Sequence, residues 1–173
     1  GFNGSLLADR WANEAFASYY GVQAGTALGV DTSGNELTDT LRESTIPLNA
    51  WGPVGKESTA IEDYAYAATL VLATAIAERA GPEGLRAVWA NASARIGAYQ
   101  PPEAGRSGVD GQPWTPETIA GPPDWRVLLD LLEDDTPVSY DDLWRTWVAR
   151  DEDLPLLDDR AANSADRHAP PVA

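Results

Sequence analysis

The sequence predicts an all-α protein, and three observations predict it. Apolar residues recur at three- and four-residue steps in several separate segments. Capping residues and Gly-Pro pairs punctuate those segments where helices should start and stop. No stretch alternates apolar and polar residues at period two for long enough to be a strand. With 173 residues, 43% of them hydrophobic and seven of them Trp, the chain is long and apolar enough to bury one core.

From Ser5 to about Leu28, the residues Leu7, Trp11, Ala15, Phe16, Tyr19 and Tyr20 trace a helical stripe. "GVDTSGNELTDTLRE" should be a turn and then a brief helix. Counted from Asp31, its Gly and final Glu fall at the wrong positions for a calcium loop. "STIPLNAWGPVGKES" should be an extended loop. Thr59 with Glu62 forms a capping-box pattern opening a long helix, whose face is Ile61, Tyr64, Ala68, Leu72 and Ile76. Gly81-Pro82 should end that helix. A second follows with Leu85, Val88, Trp89, Ala92 and Ile96 inward, closed by Gly97. Residues 98–122, rich in Pro and Gly, should form a long loop. Asp124 should cap a helix with Trp125, Leu128, Leu129 and Leu132 inward, and Ser139 another with Leu143, Trp144, Trp147 and Val148 inward. A last polar helix is expected from about Pro155 into "RHAPPVA". The expected organisation is therefore 1–97, a loop at 98–122, and closing helices at 123–173.

Composition excludes several classes of function. Twelve Lys and Arg oppose 27 Asp and Glu, a net charge of -15, which repels nucleic acid and anionic lipid. The absence of Cys excludes disulfides, thiolate–zinc sites and thiol catalysis. The single His, His168, is expected in a tail, so this chain alone assembles neither a zinc site nor a Ser/His/Asp triad. No apolar run is read as approaching the roughly 20 residues of a membrane span. No signal peptide is visible, and the start at "GFNGSLL" without Met reads as a piece of a longer polypeptide. The triplets Asn3-Gly4-Ser5 and Asn91-Ala92-Ser93 are taken as chance matches to a glycosylation signal. Acidic runs such as "LLEDD" and "ARDEDLPLLDD" are expected to be solvated helix ends, and the tryptophans to be core.

One residue resists this account. In "RWANEAFASYYG", Glu14 stands among Trp, Ala, Phe and Tyr, where a buried carboxylate is costly unless paired or bound to metal. Either it lies on the wet side of an amphipathic helix, or it is a ligand whose partners are elsewhere. Its helical neighbours Ala17, Ser18 and Gly21 are small, which lets another helix approach closely.

This segment resembles the Trp-x-Asn-Glu-Gly-x-Ala-x-Tyr segment of the M1 family of zinc metallopeptidases, the aminopeptidase N group within the gluzincins. In that family the Glu is the third zinc ligand, after two histidines of an upstream His-Glu-x-x-His helix. "GFNG" resembles the Trp-Phe-Gly-Asn stretch that follows those histidines. "EDYAYAATLVLATAIAERAG" resembles the family's Ser-Tyr-x-Lys-Gly-Ala helix, and "DDLWRTWV" the helix that closes the catalytic domain. Ala15 stands where the family has Gly, and Tyr66 and Ala67 where it has Lys-Gly.

The resemblance implies that the chain is the lower, helical half of a gluzincin-type catalytic domain. It implies that Glu14 is a zinc ligand and that Tyr64 hydrogen-bonds the oxyanion of the tetrahedral intermediate. Zinc would be the cofactor, a peptide the substrate, and the upstream part of the same polypeptide the structural partner. By the same resemblance the complete protein works outside the cytoplasm or at a membrane. The chain alone is expected to be inactive, and to self-associate through an apolar face around Trp11, Ala15 and Ser18. The alternative is a non-enzymatic acidic helical interaction or structural domain of peptidase ancestry.

Overall fold

A computed structural model describes residues 6–34, 36–101, 106, 108 and 112–167, the last seven in backbone only. The protein is all-α as predicted. Among the described residues the one sheet-like feature is an isolated antiparallel bridge between Ile96 and Thr118. Six α-helices are described: α1 Arg10–Ala27, α2 Asp39–Arg42, α3 Thr59–Ala94, α4 Trp125–Asp135, α5 Asp141–Leu143 and α6 Leu154–Arg167.

Helix α1 starts five residues later than its apolar stripe suggests. The Asn13 amide donates to the carbonyls of Leu7 (2.7 Å) and Asp9 (3.0 Å), and its oxygen accepts from Leu7 N–H (3.3 Å). A side chain that takes up those backbone groups holds 7–9 in a turn instead of a helix. At α3 the cap is Ser58, accepting from Ile61 N–H, and Thr59 is already helical. Glu62 does not close a capping box, because its carboxylate is bound to the Arg10 guanidinium, a stronger partner than a backbone amide.

The expected stop at Gly81-Pro82 is a sharp break inside α3, with Gly81 at φ 66° and ψ 169°. Its purpose is legible in the contacts with α1. Glu62 meets Arg10, and Trp89 meets both Phe16 and Tyr20. A straight helix would carry residue 89 about 40 Å from residue 62, while Arg10 and Tyr20 stand only about 15 Å apart along α1. The bend at Gly81 folds the second half of α3 back onto α1. That half ends at Ala94 with Arg95 left-handed (φ 57°), two residues before the expected Gly97, because the Arg95 carbonyl and Gly97 N–H pair with the 117–119 segment.

Asp124 caps α4 as expected, accepting from Arg126 and Val127 N–H, and Trp125, Leu128, Leu129 and Leu132 are buried. The helix expected from Ser139 is α5 running directly into a π-helical turn, Trp144–Val148. The π turn sets Trp144 inward, where its indole N–H donates to the Trp125 carbonyl at 2.8 Å. Trp11, Trp51, Trp125 and Trp144 are all core residues, as expected, with Trp11 and Trp144 edge to face at 5.8 Å.

Three expectations are corrected. The acidic runs are not merely solvated: Glu133 binds Arg160, Asp134 accepts from Tyr99 N–H, Asp135 from the Asn91 amide, and Asp153 is buried. Trp11 and Ala15 are at most 1% exposed, so the apolar face expected around them is already covered within this chain. One 18-residue window of α3 reaches a mean hydropathy of 1.2, long and apolar enough to cross a membrane. Half of that window is buried in this fold, and packing against α1 and α4 accounts for its apolar character.

Candidate functional site

Glu14 lies on α1, half-buried, on the flank that also carries Arg10, Ser18 and Gly21. Two turns on, that flank is open: a methyl group built at Gly21 meets no atom beyond the helix's own backbone within 4 Å. The Glu14 carboxylate makes no hydrogen bond or ion pair with any described residue. Its peers do. The half-buried carboxylates of Glu62, Asp130, Glu133, Asp135 and Asp141 each hold a guanidinium or an amide.

One turn before it, Arg10 is the most heavily engaged side chain of α1. It binds Glu62 through two nitrogens (3.1 and 2.7 Å), donates to the Gly52 carbonyl (2.7 Å), and stacks on Trp51, 3.8 Å from the ring centroid. The Tyr66 hydroxyl lies 3.4 Å from the same guanidinium, and the Tyr66 ring stands edge to face on Trp51. The pairing holds the Glu62 carboxyl below its ordinary pKa and raises that of Arg10. The local sequence hides this cluster, since its members are 42 and 52 residues apart.

The other predicted residue, Tyr64, sits in the core, 3% exposed, and its hydroxyl makes no hydrogen bond with a described residue. Two residues are about 200° of helical turn. Since Glu62 and Tyr66 both face Arg10, Tyr64 points away from that flank of α3. The structure thus sets Tyr66, not Tyr64, beside Arg10 on α1. Farther along, the furrow between α1 and α3 widens into a cleft of about 460 Å³ lined by Val22, Leu37, Leu70, Val71 and Ala75, among others.

A second polar network, missed in the sequence, supports α1 from the opposite end of the chain. The Trp11 indole N–H donates to Asn49 Oδ1 (3.0 Å), and the Asn49 amide donates to Asp153 Oδ2 (3.0 Å). Asp153 is also held by the Arg150 guanidinium and backbone N–H, which pull its carboxyl down to about 2. The chain thus fixes the turn containing Trp11, directly before Glu14, through residues about 40 and 140 positions away.

The described residues contain no cluster of three or more His, Asp or Glu able to hold a metal ion. Glu14 fits the part of one carboxylate ligand, with free oxygens on an open flank. The remaining ligands of a His₂Glu set are not among the described residues. His168 and "GFNG" lie outside them, as does the Asn3 triplet, while Asn91 is engaged with Asp135. No family model, curated protein or solved structure matches the chain.

Proposed function

We propose that this chain supplies the carboxylate ligand and an oxyanion-binding phenol of an M1-like zinc metallopeptidase, with two imidazole ligands supplied from outside these residues. The observation that carries the reading is Glu14: a half-buried carboxylate that bonds no described residue, in the segment that resembles the family's zinc-ligand motif. A bound zinc would lower the pKa of a coordinated water and polarise the scissile carbonyl. Glu14 would contribute negative charge and a fixed oxygen. A neutral phenol donates to an oxyanion without bringing a charge of its own, which suits Tyr64 by its place in the motif. Zinc is the proposed cofactor, a peptide the proposed substrate, and the histidine-bearing segment the proposed structural partner.

The non-enzymatic alternative draws on one observation, that Tyr64 is buried in the core, on the face of α3 opposite the pair that meets Arg10. Metal analysis separates the two. In the complete peptidase, which includes the histidine-bearing helix, Glu14→Ala should lose most of its zinc on dialysis; full occupancy would remove Glu14 from the site. Tyr64→Phe should lower kcat by about 10²–10³ with zinc retained. Tyr66→Phe is made alongside it, because Tyr66 is the phenol beside Arg10. This chain alone should fold but neither retain zinc nor cleave peptides. Stoichiometric zinc, or turnover abolished by a chelator, would place the whole site within these residues.

A further inference from the structure

We propose that the cleft between α1, α3 and the 32–42 segment binds a small amphiphilic cation, a medium-chain alkylammonium with its chain between the helices and its head at the rim. The proposal is independent of the zinc-peptidase reading and concerns a part of the molecule that reading leaves unused. Helix α3 carries more apolar surface than its core packing takes up. Leu72, Ala73 and Ile76 are fully buried, while Leu70 and Ala75 are half-buried and Val71 is 36% exposed. At about 100° per residue, Leu70, Val71, Thr74, Ala75 and Glu78 share one sector of about 140°, and Leu72 and Ile76 fall outside it. Val22 of α1 and Leu37 line the same space, so five apolar side chains wall a cleft of about 460 Å³. A small-ligand site has that volume and that chemistry, apolar walls with a few polar groups.

The head group is chosen by charge. Glu36, Glu78 and Arg42 complete the lining, all three exposed, and none forms an ion pair with a described residue. Elsewhere on this chain neighbouring charges do pair, as Arg79 with Asp142 and Arg145 with Asp141. The Thr74 hydroxyl is satisfied within α3, donating to the Leu70 carbonyl at 2.8 Å. Two carboxylates against one guanidinium leave the rim negative. The chain's net charge of -15 adds a field that draws cations in and turns anions away. The apolar walls supply affinity, and the rim supplies the preference for an ammonium over a carboxylate.

The test uses the 173-residue chain with octylammonium chloride, and hexylammonium chloride and sodium octanoate for comparison. Calorimetry gives the affinities, and backbone and methyl NMR shifts locate the site. Octylammonium should saturate with a Kd of about 1 mM or tighter and bind several-fold more tightly than octanoate. It should move the resonances of Val22, Leu37, Leu70, Val71 and Ala75. The two methylenes that separate hexylammonium from octylammonium should be worth about tenfold in affinity. Glu36→Gln and Glu78→Gln should each weaken octylammonium by about two- to fivefold, the range of an exposed ion pair, and Arg42→Gln should tighten it. Ala75→Phe fills the cleft and should abolish binding with the thermal midpoint retained. If that variant does not fold, Val71→Ser, at a position already exposed, should weaken binding in its place. Octanoate binding as tightly as octylammonium overturns the proposal. So do shifts centred away from these residues, unchanged affinity in the double variant Glu36→Gln/Glu78→Gln, or no saturation at about ten times the expected Kd.

Discussion

Replacing Asp153 with Asn removes one charge from the network that anchors Trp11. The Asp153 carboxyl falls from 3.8 to about 2, chiefly through the Arg150 guanidinium, with further hydrogen bonds from Asn49 and the Arg150 backbone. At about 1.4 kcal/mol per pH unit, that drop corresponds to about 2 kcal/mol of native stability near pH 7. Because the folded-state pKa is depressed, the contribution is complete above the unfolded pKa near 4 and disappears as the pH falls through about 2. Asp153→Asn should therefore be about 2 kcal/mol less stable at pH 7, a fall of roughly 4–8 °C in Tm for a chain of this size. The gap should shrink from about pH 5 downward and close near pH 2. Asp9 and Asp135 shift upward through burial, which favours the native state at low pH. The comparison is for that reason between variant and original protein at each pH. Urea unfolding followed by tryptophan fluorescence at pH 7, 5, 4 and 3 measures it. A variant as stable as the original at pH 7, or a gap independent of pH, would refute a charge-dependent role for Asp153.

Other outcomes follow from the same structure. Gly84→Ala should destabilise by about 1–3 kcal/mol in thermal unfolding, because the new methyl carbon would sit 2.6 Å from Thr136 Cγ2, and Thr136 is buried and bonded to Tyr140. Glu14→Gln should leave the stability of this chain within about 0.5 kcal/mol, since no described partner is lost; a larger fall would mean that the carboxylate is structurally engaged. On the proposed zinc-peptidase reading, Glu14→Ala in a protein that also carries the histidine-bearing helix should release zinc, and Tyr64→Phe should lower kcat by about 10²–10³, as metal analysis and steady-state kinetics would show.

What the sequence determined by itself is the local part of the fold. Helical class, the Asp124 cap, the inward face of α4 and the interruption at Gly81 all depend on residues within a turn or two of each other, and their periodicity and backbone preferences are written in order. It also singled out Glu14, through a motif and through the oddity of a carboxylate in an apolar segment. The tertiary structure decided everything that depends on who meets whom. It gave Glu62 to Arg10 rather than to its own helix end, buried Asp153 in a run that reads as solvated, and covered Trp11 and Ala15 with the chain's own elements. It also set Tyr66 beside Arg10 and left Tyr64 two residues out of phase. Both tyrosines sit in one short motif, but a 100° step per residue assigns them to different faces, and only the packing of α1 against α3 selects which face matters. The same holds for Glu14. A carboxylate's partners are fixed by chain segments dozens of residues away, so its lack of a partner becomes visible only once those segments have folded around it.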